Sequence, residues 1–184
     1  MMASLCYSEH MTQTFISMLA EDGKKNSLGR VDDVIIEVLD DPSRIDELYN
    51  AMFHDDAWVR MRAADAFEKI CRVNPIWIEP YIDRIQADLD KSQQASIQWH
   101  IAQIYCQIRL DDLQKKHAID WLARLLKTTS VDWIVAANCM KALEYFVNKN
   151  EFNKDDFEHL LRVQLHHKSK AVAKKAQQFL NAIK

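Results

Sequence analysis

The sequence has almost no glycine or proline, with two and three respectively in 184 residues. These residues punctuate strands and tight turns, so their scarcity argues against an all-β chain and for helices. No stretch of about 18 apolar residues occurs, which removes a membrane-spanning helix from consideration. The four cysteines, Cys6, Cys71, Cys106 and Cys139, lie far apart without a CxxC pair. That spacing suits neither a zinc site nor a disulfide framework; reduced thiols in a cytoplasmic protein are expected. The opening "MMASLCYSEHMTQTF" has no basic leader region, and Glu9 and His10 interrupt it, so no secretory signal is expected. Gly23 and Gly29 cannot build a phosphate-cradling loop, and neither GxSxG nor HExxH is present. No catalytic residue, metal ligand or cofactor is assigned.

Acidic residues are missing after Glu158, where Arg162, Lys168, Lys170, Lys174, Lys175 and Lys184 give a balance of +6. Residues 1–60 carry 12 acids and 5 bases, a balance of −7. The chain is therefore predicted to be a dipole. Its net charge of −3 argues against a nucleic-acid-binding domain, which usually carries a basic excess. Opposite ends of opposite charge allow self-association through the end repeats.

What is abundant is a repeated apolar pattern. Val59, Ala63, Ala66, Phe67 and Ile70 stand at offsets 0, 4, 7, 8 and 11, one face of a helix. The same offsets recur at Ile97, Ile101, Ile104, Tyr105 and Ile108, then at Val135, Cys139, Ala142, Leu143 and Phe146. They recur again at Val172, Ala176, Phe179, Leu180 and Ile183. About eleven residues upstream of the first three copies lies a shorter pattern: Ile45, Leu48 and Met52; Ile82, Ile85 and Leu89; Ile119, Leu122 and Leu126. A looser copy, Phe157, Leu161 and Leu165, precedes the fourth. Each unit is thus a helix A followed by a helix B, at a period near 38. Ser43, Ser92, Ser130, Asn153 and Ser169 precede apolar runs and are expected to cap helices.

The units fall at about 43–74, 76–110, 114–148 and 153–184. Residues 1–42 are expected to form an N-terminal helical cap. It comprises a helix within 2–20 with Leu5, Phe15, Ile16 and Leu19 apolar, a loop at "GKKNSLGR", and a short helix ending before Pro42. The predicted architecture is all-α, a right-handed α-α superhelix of about four helical pairs in which stacking makes a continuous core.

"VRMRAADAF" resembles the B helix of a HEAT repeat, and "VRMRAADAFEKI" with "IQWHIAQI" resembles small bacterial HEAT-like proteins without an assigned activity. The resemblance covers roughly residues 43–184. It implies the HEAT-like solenoid fold and an interaction role, and no reaction.

Equivalent B-helix positions left polar by the pattern should align as an inner ladder. Offset 3 gives Arg62, His100, Asn138 and Lys175; offset 6 gives Asp65, Gln103, Lys141 and Gln178; offset 10 gives Lys69, Gln107, Tyr145 and Ala182. Such a face suits a protein or extended peptide, and its cations favour an acidic one. Trp99, beside His100, is the expected exposed aromatic anchor. Arg60, about 200° around the helix from Arg62, is expected to be structural, bridging to an acid on a neighbouring unit. The predicted function is a non-enzymatic binding scaffold.

A second class resembles alkylation-repair DNA glycosylases, HEAT-like proteins that hold DNA with basic and aromatic residues and a catalytic Asp. "WVRMRAA", Trp99, Trp133, Asp132 and the basic last repeat are similar to those ingredients, and the acidic first repeats oppose them. A third, HEAT-like iron hydroxylases, uses repeated His-Glu pairs; here the order is reversed, at Glu9-His10 and Glu158-His159.

Overall fold

The apolar spacing translates directly into helices. The computed structural model describes residues 13–21 and 27–183, and these form helices and connecting turns without a strand. Predictions for Leu5, Cys6, the Glu9-His10 pair and the loop at 23–26 fall on residues outside the described ones. The helices are α1 (Phe15–Ala20), α2 (Val31–Asp40), α3 (Ile45–Ala51), α4 (Ala57–Val73), α5 (Pro75–Ile78) and α6 (Ile82–Arg84). They continue with α7 (Ala95–Ile104), α8 (Asp112–Leu126), α9 (Trp133–Asn148), α10 (Lys154–Gln164) and α11 (Lys170–Ala182).

The predicted B helices are α4, α7, α9 and α11, and each packs on the next in that order, with α2 also packed against α4. The A helices α8 and α10 likewise pack on one another. Every residue of the first three B patterns and the first three A patterns is buried. Leu165, Phe179 and Ile183 of the last pair are only partly buried, because among the described residues no further helix covers them.

The second A element departs from a regular helix. Pro75 opens α5, where its missing N–H costs nothing, and Pro80 sits in a 3₁₀ turn, Glu79–Tyr81. The segment ends in a π-helical turn, Ile85–Leu89, closed by Asp90 N–H donating to the Ile85 carbonyl at 3.2 Å. α7 stops at Ile104, short of the pattern's end, yet Tyr105 and Ile108 still enter the core from the turn that follows.

The helix starts correct the expected caps. Asn153 caps α10, accepting from the N–H groups of Asp155 and Asp156. Ser169 occupies the N-cap of α11 but its side chain makes no capping bond. Ser43, Ser92 and Ser130 do not cap helices; the α-helices after them are capped by other residues or by none. Aspartates do most of the work: Asp56 on α4, Asp111 on α8 in a capping box with Gln114, and Asp132 on α9. A carboxylate satisfies the orphan N–H groups and also meets the positive end of the helix dipole.

Polar side chains stitch adjacent pairs together. Gln164, fully buried, donates to the carbonyls of Leu126 at 2.8 Å and Thr128 at 3.0 Å. His167 lies 2.9 Å from the Val131 carbonyl. Arg60 donates to Gln94 of the next pair at 2.7 Å and to the His54 and Asp55 carbonyls before its own helix. Arg60 thus links neighbouring units, but to an amide and to backbone where an acid was expected.

Candidate functional site

The polar positions of the B helices divide into a covered end and an open middle. At the covered end, Arg62 is 3% exposed, and its guanidinium faces the N-terminal segment. It donates to the carbonyls of Leu19 at 2.6 Å, Ser27 at 2.8 Å and Glu21 at 3.2 Å. Gly29 allows this close approach. Its φ is +53°, and a Cβ there would lie 3.1 Å from the Glu21 carbonyl oxygen and 3.4 Å from Arg62 Cζ. Lys69 bridges Asp65 at 2.9 Å along α4 and reaches Asp32 of α2 at 3.6 Å. Arg62, Asp65 and Lys69 are therefore engaged by the chain itself. The expectation that Arg62 is an open partner contact is corrected: it is a buried latch for the chain's N-terminal segment.

His100 is also buried, at 5% exposure, and its Nδ1 has no hydrogen-bond partner. Burial pushes its pKa down to about 4, so the imidazole is neutral near pH 7. His100 is not an open contact either. Because its folded pKa is depressed, it stabilises the fold fully above about pH 6.5. That contribution is lost as pH falls toward its folded value of about 4. His100→Leu is expected to flatten that part of the acid stability profile, measured by denaturant melts across pH. An unchanged slope would refute this assignment.

Trp99 is half-buried, packs against the core and stands edge-on to the His100 ring at 5.2 Å. It is not the exposed anchor expected of it. The exposed tryptophan is Trp133, 53% exposed at the first turn of α9.

The open middle lies between α7 and α9. Gln103, Asn138, Lys141 and Tyr145, all singled out by repeat position, line one cavity of about 190 Å³ together with Cys106 and Gln107. Gln103 Nε2 donates to Asn138 Oδ1 at 3.1 Å, and Asn138 Nδ2 donates to the Ile134 carbonyl at 2.8 Å, so both amides are oriented. Gln107 donates to Glu68, a buried carboxylate that also accepts from Arg72. Lys141 is exposed. Lys175 stands apart on α11, partly buried, its ammonium 5.9 Å from the Phe179 ring centre. Cys106 is held protonated, its pKa pushed up to about 12 by burial, so the groove offers no thiolate nucleophile.

One cluster was missed from the sequence. Asp90, at the end of the π-helical turn, accepts from Tyr105 Oη at 2.9 Å and lies 2.7 Å from His117 Nε2 of α8. Its carbonyl accepts from Trp121 Nε1 at 3.0 Å. Desolvation raises the Asp90 pKa above the ordinary aspartate value. The signal was Tyr105, a phenol at an apolar repeat offset; a buried hydroxyl needs an acceptor.

Among the described residues no group of three or more His, Cys, Asp or Glu side chains is placed to hold a metal ion. No helix of the described residues is long and apolar enough to cross a membrane. Asp132 spends its carboxylate on the first turn of α9. Comparison with protein-family models, curated proteins and solved structures found no match.

Proposed function

We propose that the chain is a HEAT-like, right-handed solenoid of four helical pairs behind an N-terminal cap. It acts as a non-enzymatic cytoplasmic scaffold that binds a protein segment between α7 and α9. The ordered packing of α4, α7, α9 and α11 supports the solenoid reading. The binding reading rests chiefly on one observation: Gln103, Asn138, Lys141 and Tyr145 converge on a single cavity. Two oriented amides and an exposed ammonium flank apolar Ala102 and Ala142 there, which suits main-chain hydrogen bonding plus shallow side-chain contact. The covered rungs on α4 shift the binding face away from the first repeat.

Filling the groove tests this without altering charge. Gln103→Trp should weaken retention of segments selected from a random-peptide display library by about tenfold, the scale of one lost well-placed contact. Its thermal midpoint should stay close to that of the wild type. Undiminished retention by Gln103→Trp would rule out the groove.

A further inference from the structure

The cavity between α7 and α9 does not end at Tyr145. The same ring lines a second cavity of about 180 Å³, whose wall includes Arg109, Lys115, Lys149 and Glu151. Along α9, Asn138, Lys141, Tyr145 and Lys149 stand at offsets 0, 3, 7 and 11, within one narrow stripe of the helix. The opposite wall is made by Gln103 and, past the end of α7, by Gln107 and Arg109. The two cavities adjoin at Tyr145, which lines both, and together they make one candidate track. The Gln103–Asn138 bond marks one end, and the Lys115–Glu151 pair, at 2.8 Å, marks the other.

The charge along this track is one-sided. Arg109, Lys115, Lys141 and Lys149 line it, against Glu151 as the single acid in the lining. Lys149 sits 4.4 Å above the Tyr145 ring centre, and Lys115 is held by Glu151, so both ammonium groups are positioned and not merely tethered. Lys149 also stands at the C-cap of α9, where the helix dipole favours a cation. The stripe from Asn138 to Lys149 spans about 16 Å at 1.5 Å per residue. That length accommodates about five residues of extended chain.

We propose that the track takes an extended acidic peptide of about five residues. One carboxylate meets Lys141 and a second meets Lys149 and Arg109; the main chain between them passes over Tyr145, and the chain beyond Lys141 reaches the Gln103 and Asn138 amides. This rests on the groove reading above and assigns the partner's chemistry. Glu151 stays paired with Lys115, so the incoming carboxylate is received chiefly by Lys149, and by the exposed Arg109, whose guanidinium lies 3.7 Å from Glu79.

The test is selection from a random-peptide display library at low salt, followed by anisotropy with the enriched peptides. Enrichment of two Asp or Glu positions three or four residues apart supports the proposal. So does a loss of about tenfold or more in affinity with either Lys141→Glu or Lys149→Glu, at unchanged melting. Both lysines are exposed, so the substitutions should leave the fold intact. Enriched peptides without an acidic bias, still excluded by Gln103→Trp, would overturn the acidic track while leaving the groove reading in place. No enrichment at all would overturn both. Two outcomes reassign the occupant and overturn the peptide proposal. One is a salt-sensitive oligomer of the protein alone that Lys149→Glu converts to monomer, assigning the track to a second copy. The other is single-stranded DNA outcompeting the enriched peptide, assigning it to phosphates.

Discussion

Arg62→Ala is expected to destabilise the protein by about 3 kcal/mol, because it leaves the buried Leu19 carbonyl and the part-buried Ser27 and Glu21 carbonyls without their charged donor. For a chain of this size that lowers the thermal midpoint by roughly 6–12 °C. The carbonyls involved belong to Leu19, Glu21 and Ser27, so the loss should be felt first in the N-terminal segment. Limited proteolysis should then cut near residues 19–29 before the remainder of the chain is attacked. Arg62→Lys should recover only part of the loss. A single ammonium cannot reproduce a guanidinium that spans several acceptors. A melting curve and a cleavage pattern both like those of the wild type would show that Arg62 is not the latch described here. Peptide binding between α7 and α9 should be little changed in this variant, provided the remaining helices stay folded. That separation matters, since sequence alone placed Arg62 among the binding residues.

Asp90→Ala is expected to cost a similar amount, about 3 kcal/mol, by stranding the buried Tyr105 hydroxyl and breaking the link to α8. Asp90→Asn should cost less than half of that. The amide oxygen can still accept from Tyr105, and the amide nitrogen can still face the His117 ring. The pH dependence distinguishes the carboxylate from its amide. Asp90 has a raised pKa in the folded state, so it favours the fold most below the ordinary aspartate value. That contribution is lost as pH rises through its folded pKa. Asp90→Asn should remove this component, making the difference in stability between variant and wild type depend on pH across the acid range. Denaturant melts at a series of pH values measure it; a pH-independent difference would contradict the assignment. His100 contributes with the opposite sign, since its pKa is depressed, so Asp90→Asn and His100→Leu should tilt the acid profile in opposite directions.

The helical pairs were legible because burial is periodic. An apolar side chain must recur every third or fourth position to reach a neighbouring helix, and the letters at Val59 to Ile70, Ile97 to Ile108 and Val135 to Phe146 record that constraint. The middle of the binding face was legible for the same reason. Gln103, Asn138, Lys141 and Tyr145 are polar where equivalent helices align, and the structure brings them together.

The parts that failed depend on contacts without a period. Arg62 is buried by a non-repeating stretch near Gly29, whose left-handed backbone leaves no pattern in neighbouring letters. Ser130 was favoured as a cap on propensity, but the chain enters α9 through Asp132, which lies closer to the true first turn, and α3 and α7 start without a side-chain cap. Trp99 was placed at the ladder's flank by its neighbour His100 alone, and packing against the core claims most of its surface. The Asp90 cluster joins residues from three elements, and its acid sits on a turn that a regular helical period does not describe. The second cavity could not be read at all, because Arg109 and Lys115 reach it from the connection into α8 and from α8 itself.

The central claim is that the face between α7 and α9 receives an extended segment. Amide chemical-shift mapping with an enriched peptide tests it most directly. The expected result is a contiguous set of perturbations at Gln103, Gln107, Asn138, Lys141, Tyr145 and Lys149, with α10 and the solvent side of α8 silent. Perturbations centred on α8 and α10, or on the Arg62 end of α4, would contradict it.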